Sequence, residues 1–281
     1  MFKKRWLVPF LSALIVMVVL VTIASFLYRF PPAKSPSPTA TATACATSQP
    51  GSGSPIRSIC LKRILVFSKT AAFRHASIPD GKQALKNLAQ QHSFAIDFSE
   101  DANVFTASNL ARYSVVVFLL TTGEIFNNSQ QAAFQQYIEA GGGFVGIHSA
   151  SDTEYDWPWY DGLVGAHNNI HDKHSSVQQA TVYVEDPNTP STNMLPVLWV
   201  RTDEWYNFAL NPRSRVHVLL TVDEKTYKGG IMGADHPIAW YHAYDGGRAW
   251  YTAMGHTSES YHEPLFLAHL WGGILYASGL G

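Results

Sequence analysis

Three histidines follow segments of the sequence that are predicted to be strands of one sheet. His75 comes after the apolar run that starts at Arg63, His148 ends the block GGGFVGIH, and His256 ends RAWYTAMGH. Ligands of an open parallel sheet bind beyond the carboxyl ends of its strands, so we expect these imidazoles at one edge. Three histidines at one locus are typical of a site for zinc or a similar divalent transition metal. The sequence therefore predicts a metal bound by His75, His148 and His256, the alternative for each being a structural hydrogen bond.

A short segment that begins at Asp203 places two carboxylates directly before two aromatic rings. Sugar sites use this combination, with acids for proton transfer and rings that stack on the apolar faces of sugars. Neighbouring strand residues point to opposite faces, so one acid is expected to face the ligand, and we assign Glu204 the catalytic role. Surface ion pairs and core packing are the alternatives. The residues predicted to contact the substrate are Asp203, Trp205, Tyr206, Trp240 and Arg248.

The block GGGFVGIHSASD resembles a strand–turn–helix elbow, which exposes the side chain at its apex. His148 occupies the apex, where a hydrolase of this kind needs serine and an amidotransferase needs cysteine. Nucleophilic acyl transfer is therefore disfavoured, and Ser149 lies one position off the apex. Asp152 is predicted either to orient His148 and act as a catalytic acid or base, or to cap the next helix.

A second group of histidines occurs in GAHNNIHDKH. His167 and His171 are four residues apart and could chelate a metal on a helix, with His174 nearby. Asn168 and Asn169 favour a loop instead. A solvated surface segment is the alternative interpretation of this group.

The elements that must position these residues alternate between strands and helices. Continuous apolar runs at Arg63–Ser68, Val115–Leu120 and Gly143–His148 are typical of strands buried on both faces. A helix capped by Ser77 is predicted after the first run, and a helix capped by Asn128 or Ser129 after the second. This order predicts a doubly wound, flavodoxin-like α/β fold with a mostly parallel sheet.

The sequence after Val177 changes to shorter β-rich pieces. PIAWYHAY and RAWYTAMG flank Asp245-Gly246-Gly247, which is a hairpin turn signal. An antiparallel extension of the sheet is therefore predicted. The final segment, EPLFLAHLWGGILYA, is predicted to be a helix that packs on the sheet.

The N-terminus differs from the rest of the chain. Leu7–Tyr28 is uncharged and, as a helix, would extend ~33 Å, enough for a hydrocarbon core of ~30 Å. We interpret residues 1–30 as a retained single-pass membrane anchor, a cleaved signal peptide being the alternative. Basic residues before the segment favour a cytoplasmic N-terminus and an extracytoplasmic domain. Residues 31–60, rich in Pro, Ser and Thr, are predicted to be a linker.

Composition limits the remaining possibilities. The 281 residues carry a formal net charge of -1, with no basic run after the N-terminus, so nucleic acid is excluded as a predicted partner. The two cysteines, Cys45 and Cys60, imply neither a disulfide framework nor a catalytic thiol. Residues 61–281 are long enough for one domain.

Five segments together resemble the ThuA-like, or trehalose-utilisation, family over about Lys62 to Gly279. The matching pieces are FRH at 73–75, GGGFVGIHSASD at 141–152, TDEWYNF at 202–208, HPIAWYH at 236–242 and GGRAWYTAMGHT at 246–257. The chain departs from the family at LVGAHNNIHDKH, which lacks a His-Pro pair. The resemblance implies a class I glutamine amidotransferase-like fold without the nucleophilic cysteine, and metabolism of trehalose-like disaccharides or their 3-keto derivatives.

These observations lead to three hypotheses. The first is a membrane-tethered carbohydrate-processing enzyme whose metal polarises a sugar carbonyl or water while Glu204 or Asp152 moves the proton. The second is a non-catalytic sugar-binding module at the cell surface. The third is a metal-free acid–base enzyme that uses the same residues. In all three the partner is a small-molecule carbohydrate.

Overall fold

The computed structural model describes residues 63–169 and 176–281. Within these ranges no helix is both long and apolar enough to cross a bilayer. Several predictions therefore lie outside the described residues, namely the anchor at 1–30, the linker at 31–60, both cysteines, His171 and His174.

One nine-stranded sheet organises the described residues, in the order β2-β1-β3-β4-β9-β8-β7-β5-β6. The first five strands of this order run parallel, and the remaining four pair antiparallel. The predicted doubly wound, flavodoxin-like fold with an antiparallel extension is confirmed. The strands are β1 (Arg63–Phe67), β2 (Ala95–Ser99), β3 (Val115–Leu119), β4 (Gly143–Ile147), β5 (Gln178–Val184), β6 (Leu198–Asp203), β7 (His217–Val222), β8 (Pro237–Tyr244) and β9 (Gly247–Thr252).

Helices cover both faces of the parallel strands. Leu119 lies close to Gly81 on the first long helix, whereas the neighbouring Phe118 stacks on Phe134 of the third helix. Adjacent strand residues point to opposite faces, so these two helices lie on opposite sides of the sheet. The helices are α1 (Ile78–Gln91), α2 (Ala107–Leu110), α3 (Asn128–Glu139), α4 (Pro158–Val164) and α5 (Pro264–Ala277).

The beginnings of two helices differ from the sequence prediction. Ser77 precedes α1 but makes no capping bond, because its hydroxyl donates to the carbonyl of His256 instead, at 2.7 Å. Asn127, one residue earlier than predicted, caps α3 in a reciprocal capping box with Gln130. Ser77 thus ties the start of α1 to one of the candidate site loops.

Two turns have the left-handed backbone that their sequences predict. His148 follows β4 with φ 52°, the strained apex of the predicted elbow. Asp245 and Gly246, with φ 47° and 92°, join β8 to β9 in a hairpin.

The pairing of β4 with β9 decides which residues share an edge of the sheet. These strands are parallel, with Gly143 opposite Arg248 and Ile147 opposite Thr252. The segments that carry His148 and His256 therefore leave the sheet at the same, carboxyl edge. Arg248 lies at the opposite edge, a strand length away.

Candidate metal centre

Four side chains from four segments converge at the carboxyl edge of the sheet. One donor atom from each of His75, His148, Glu204 and His256 lies within 4.8 Å of every other. We call these four residues the His/Glu cluster. The structure thus brings together the three histidines predicted as ligands and adds Glu204, which the sequence had suggested for proton transfer.

The elbow after β4 fixes the orientation of His148. Its Nδ1 lies 2.6 Å from the carbonyl oxygen of Ala253, to which it donates. With Nδ1 engaged in this bond, Nε2 is the ring nitrogen that faces the cluster. Nε2 lies 3.1 Å from Nδ1 of His256 and 3.3 Å from Oε2 of Glu204. The buried ring therefore turns Nε2 toward the other members of the cluster.

Asp203 positions two members of the cluster through the backbone. One carboxylate oxygen accepts the backbone N–H groups of Glu204 and His256, each at 3.0 Å. The other accepts from Gly255 at 2.8 Å and from Arg201 at 3.0 Å. Asp203 is fully buried, so the predicted substrate contact is corrected to a structural role that joins the end of β6 to the loop after β9.

The charges of the cluster follow from its burial and its contacts. Burial acts to raise the pKa of Glu204, but hydrogen bonds to His148 and His256 outweigh it and hold the pKa well below its usual range. Burial acts to lower the pKa of His256, but Glu204, 2.8 Å away, raises it overall. Burial, with the nearby charges of His148 and His256, lowers the pKa of His75 to about 3. At neutral pH the cluster therefore offers a carboxylate and a neutral His75.

The donor set fits a divalent transition metal. Bonds of ~2.0–2.1 Å to tetrahedral ligands require ligand atoms about 3.4 Å apart. Three separations in the cluster are already 2.8, 3.1 and 3.3 Å, all between Glu204, His148 and His256. His75 completes the group within 4.8 Å. Nitrogen and carboxylate donors of this kind suit zinc and its neighbours.

Two further predicted site residues lie close to the cluster. The ring of Tyr206 packs on that of His148, with centroids 4.3 Å apart. Asp152 follows His148 by four residues and accepts a hydrogen bond from the hydroxyl of Tyr155 at 2.8 Å. Burial is the largest cause of the raised pKa of Tyr206, followed by the charge of Glu204 and then that of Asp152. Asp152 therefore remains a candidate for proton transfer.

Three predicted substrate contacts lie elsewhere. Trp205 and Trp240 are fully buried, and their indole N–H groups donate to the carbonyls of Gln178 and Val164. Both are core residues, because the backbone directs these side chains toward packed elements. Arg248 donates to the carbonyls of Ala277 and Gly141 at the opposite edge of the sheet. These assignments are corrected accordingly.

The remaining sequence candidates have structural partners. His167 is buried, with Nε2 3.0 Å from the carbonyl oxygen of Thr153 and Nδ1 3.5 Å from Asp161. Ser149 is buried beside Nδ1 of His75, at 3.5 Å. Sequence reasoning missed Phe73, which is 64% exposed and contacts His75. The signal that could have indicated it is its place in FRH, two residues before the ligand candidate His75.

Comparison with known proteins bears on the fold of the chain. The family model described as ThuA, trehalose utilisation, matches residues 63–277. A ThuA-like protein from Bacteroides uniformis is 24% identical, with a TM-score of 0.66 over 81% of this chain and 95% of that one. A ThuA-like protein from Parabacteroides merdae is 19% identical, with a TM-score of 0.65 over 77% and 90%. These structures establish the fold alone, and no curated protein matches the chain.

Proposed function

The chain belongs to the ThuA, or trehalose-utilisation, family, and from this premise we propose that it is a metal-dependent enzyme acting on trehalose-like or keto-sugar substrates. Membership of the family indicates a carbohydrate-related role. The observation that carries the rest of the proposal is the convergence of three imidazoles and a carboxylate within 4.8 Å.

The histidines and Glu204 hold the metal in this proposal. A bound divalent metal would supply Lewis acidity toward a sugar carbonyl or water. The chain supplies the rigidity of the site, because His148 is fixed by the carbonyl of Ala253 and His256 by the carboxylate of Asp203. Supporting contacts of this kind orient ligands and tune their basicity.

Asp152 moves the proton. Glu204 is engaged with two histidines, so the neighbouring carboxylate is the better candidate for an acid or base. Tyr155 donates to Asp152 at 2.8 Å and steadies it. General acid–base groups contribute about 10²–10⁴-fold to rates.

The proposal also includes a membrane tether. The uncharged segment Leu7–Tyr28 would anchor the chain, with residues 31–60 as the linker and the domain on the extracytoplasmic side. Membrane fractionation and N-terminal sequencing of the mature protein test this part. A soluble mature chain that begins near Arg29 would contradict it.

The principal experiment measures metal content and turnover of the full-length protein purified without an affinity metal resin. We expect one equivalent of transition metal in the wild type and its loss in Glu204→Gln. Glu224→Gln is the matched control, because Glu224 also contacts a buried histidine, His236 at 2.8 Å. Asp152→Asn should retain the metal and lose about 100-fold or more in turnover of trehalose or its 3-keto derivative.

Each alternative has its own result. Turnover by a metal-free wild type would favour the acid–base enzyme. Sugar binding without turnover would favour the binding module. Equal metal content in Glu204→Gln and the wild type would remove Glu204 from the ligand set.

A further inference from the structure

Phe73 is a large aromatic side chain that is exposed to solvent beside the His/Glu cluster. It is 64% exposed, and its ring centroid lies 4.8 Å from that of His75, with the rings at 88°. Fully burying a phenylalanine stabilises a fold substantially, so an exposed one next to a site forgoes that gain. What distinguishes Phe73 from other exposed apolar side chains is its contact with a member of the cluster.

The loop that carries Phe73 is held in place on both sides. The carbonyl of Thr122 accepts the backbone N–H of Ala71 at 2.7 Å, and the hydroxyl of Thr122 donates to the carbonyl of Phe73 at 2.8 Å. On the other side, Arg74 makes two bonds of 3.0 Å to the carboxylate of Glu100, and His75 is buried. The exposure of Phe73 is therefore built into an anchored loop.

We propose that Phe73 is an aromatic platform on which a sugar ring of the substrate stacks at the mouth of the cluster. The inference rests on the proposed carbohydrate function and adds a specificity-determining residue to it. Aromatic rings pack on the apolar faces that sugars present. The tryptophans suggested for this role by the sequence are buried, whereas Phe73 offers its ring to solvent.

The surroundings of Phe73 fit a sugar better than a protein partner. Its neighbour Arg74 and the paired Glu100 are exposed and polar, and they offer donors and acceptors to hydroxyl groups. Thr70 adds a hydroxyl within 3.5 Å of Arg74. Protein interfaces are centred on a broader, uncharged apolar patch. One aromatic ring set among charged groups instead matches a ligand with one apolar face and a polar rim.

The test is calorimetric titration of the full-length protein with trehalose. The variants are Phe73→Ala, Phe73→Leu and Phe73→Trp, and Phe98→Ala is the matched control. Phe98 is a partly exposed phenylalanine on β2, which β1 and β3 separate from β4. Phe73→Ala and Phe73→Leu should weaken binding about tenfold, while Phe73→Trp and Phe98→Ala bind within about twofold of the wild type. Metal content should be unchanged in all four variants.

The leucine variant separates stacking from general apolar contact. Equal binding by Phe73→Ala and the wild type would overturn the platform and leave the proposed function standing. Binding by Phe73→Leu at the wild-type level would overturn the stacking argument. No trehalose binding by the wild type would overturn both the platform and the carbohydrate proposal for this sugar, whatever the variants do.

Discussion

The two ends of the paired strands β4 and β9 have opposite characters. At the amino end, Arg248 donates to the carbonyls of Ala277 and Gly141, and backbone packs closely on backbone at Gly143. At the carboxyl end, His148 and His256 turn ring nitrogens toward one another and toward Glu204. One end has its polar groups satisfied by main-chain partners, and the other gathers donor atoms.

The difference arises from the segments that adjoin the two ends of these strands. The amino end is closed by α5 and by the turn between α3 and β4, which supply the carbonyl acceptors Ala277 and Gly141. At the carboxyl end, the left-handed turn at His148 aims a side chain across the edge instead of along the strand. The comparison teaches that the same strand pairing supports stability at one end and candidate chemistry at the other.

The largest effect is expected from Gly143→Ala at the amino end. A Cβ there would collide with the carbonyl group of Ala277, which is backbone and cannot rotate away. We expect a loss of about 3 kcal/mol in the free energy of unfolding, measured by urea denaturation. Metal content of the folded fraction should stay at the wild-type level. If Gly143→Ala unfolded at the same urea concentration as the wild type, close packing at the amino end would not contribute to stability, and the contrast between the two ends would fail.

His148→Asn at the carboxyl end should give the converse result. Asparagine tolerates the left-handed backbone, so the fold is retained while one metal donor is lost. We expect metal affinity to fall about 100-fold or more, since loss of a supporting contact alone costs about 10–100-fold. Competition with a chromogenic chelator measures the affinity, and thermal unfolding of the metal-free protein serves as the control. Unchanged affinity would remove His148 from the ligand set.

His269, on α5 between the two ends, sharpens the comparison through pH. Burial lowers its pKa to about 3, below the value of about 6.5 in an unfolded chain. Above about pH 6.5, His269 does not make the free energy of unfolding depend on pH. As the pH falls below this value, the unfolded state binds a proton at His269 that the folded state does not bind. Stability should therefore fall from about pH 6.5 toward 3.

The measurement compares the wild type with His269→Gln in chelator. Between about pH 7.5 and about pH 5, the wild type should lose about 2 kcal/mol more of its unfolding free energy than the variant. Chelator removes any contribution from metal binding. Parallel pH profiles would mean that His269 is protonated in the folded state.

The smallest effect is expected from Arg248→Met. The substitution keeps an unbranched side chain and removes the bonds to Ala277 and Gly141, of which the first is 3.2 Å long. The free energy of unfolding should fall by about 1 kcal/mol, measured by urea denaturation. Metal content and sugar binding should not change. Loss of sugar binding would restore the substrate role that the sequence suggested for Arg248.

Local patterns were sufficient to predict most of the parallel half. Apolar runs gave β1, β3 and β4 to within one residue of their observed ends, because strands buried on both faces are apolar throughout. β2 escaped prediction, since its residues are only partly buried and its sequence AIDFS carries a weaker signal. The hairpin at Asp245 and Gly246 was also readable, because its turn requires residues that accept a positive φ.

The sequence by itself determined the alternation of strands and helices around β1, β3 and β4, the family and the histidines that stand at strand ends. Only the tertiary structure decided that Glu204 joins those histidines, that Trp205 and Trp240 are core residues, and that Phe73 faces solvent. Strand periodicity is local and follows from backbone geometry, so a sequence displays it directly. Which side chains meet depends instead on how distant strands pair, and the parallel alignment of β4 with β9 brought His148 and His256 to the same edge of the sheet.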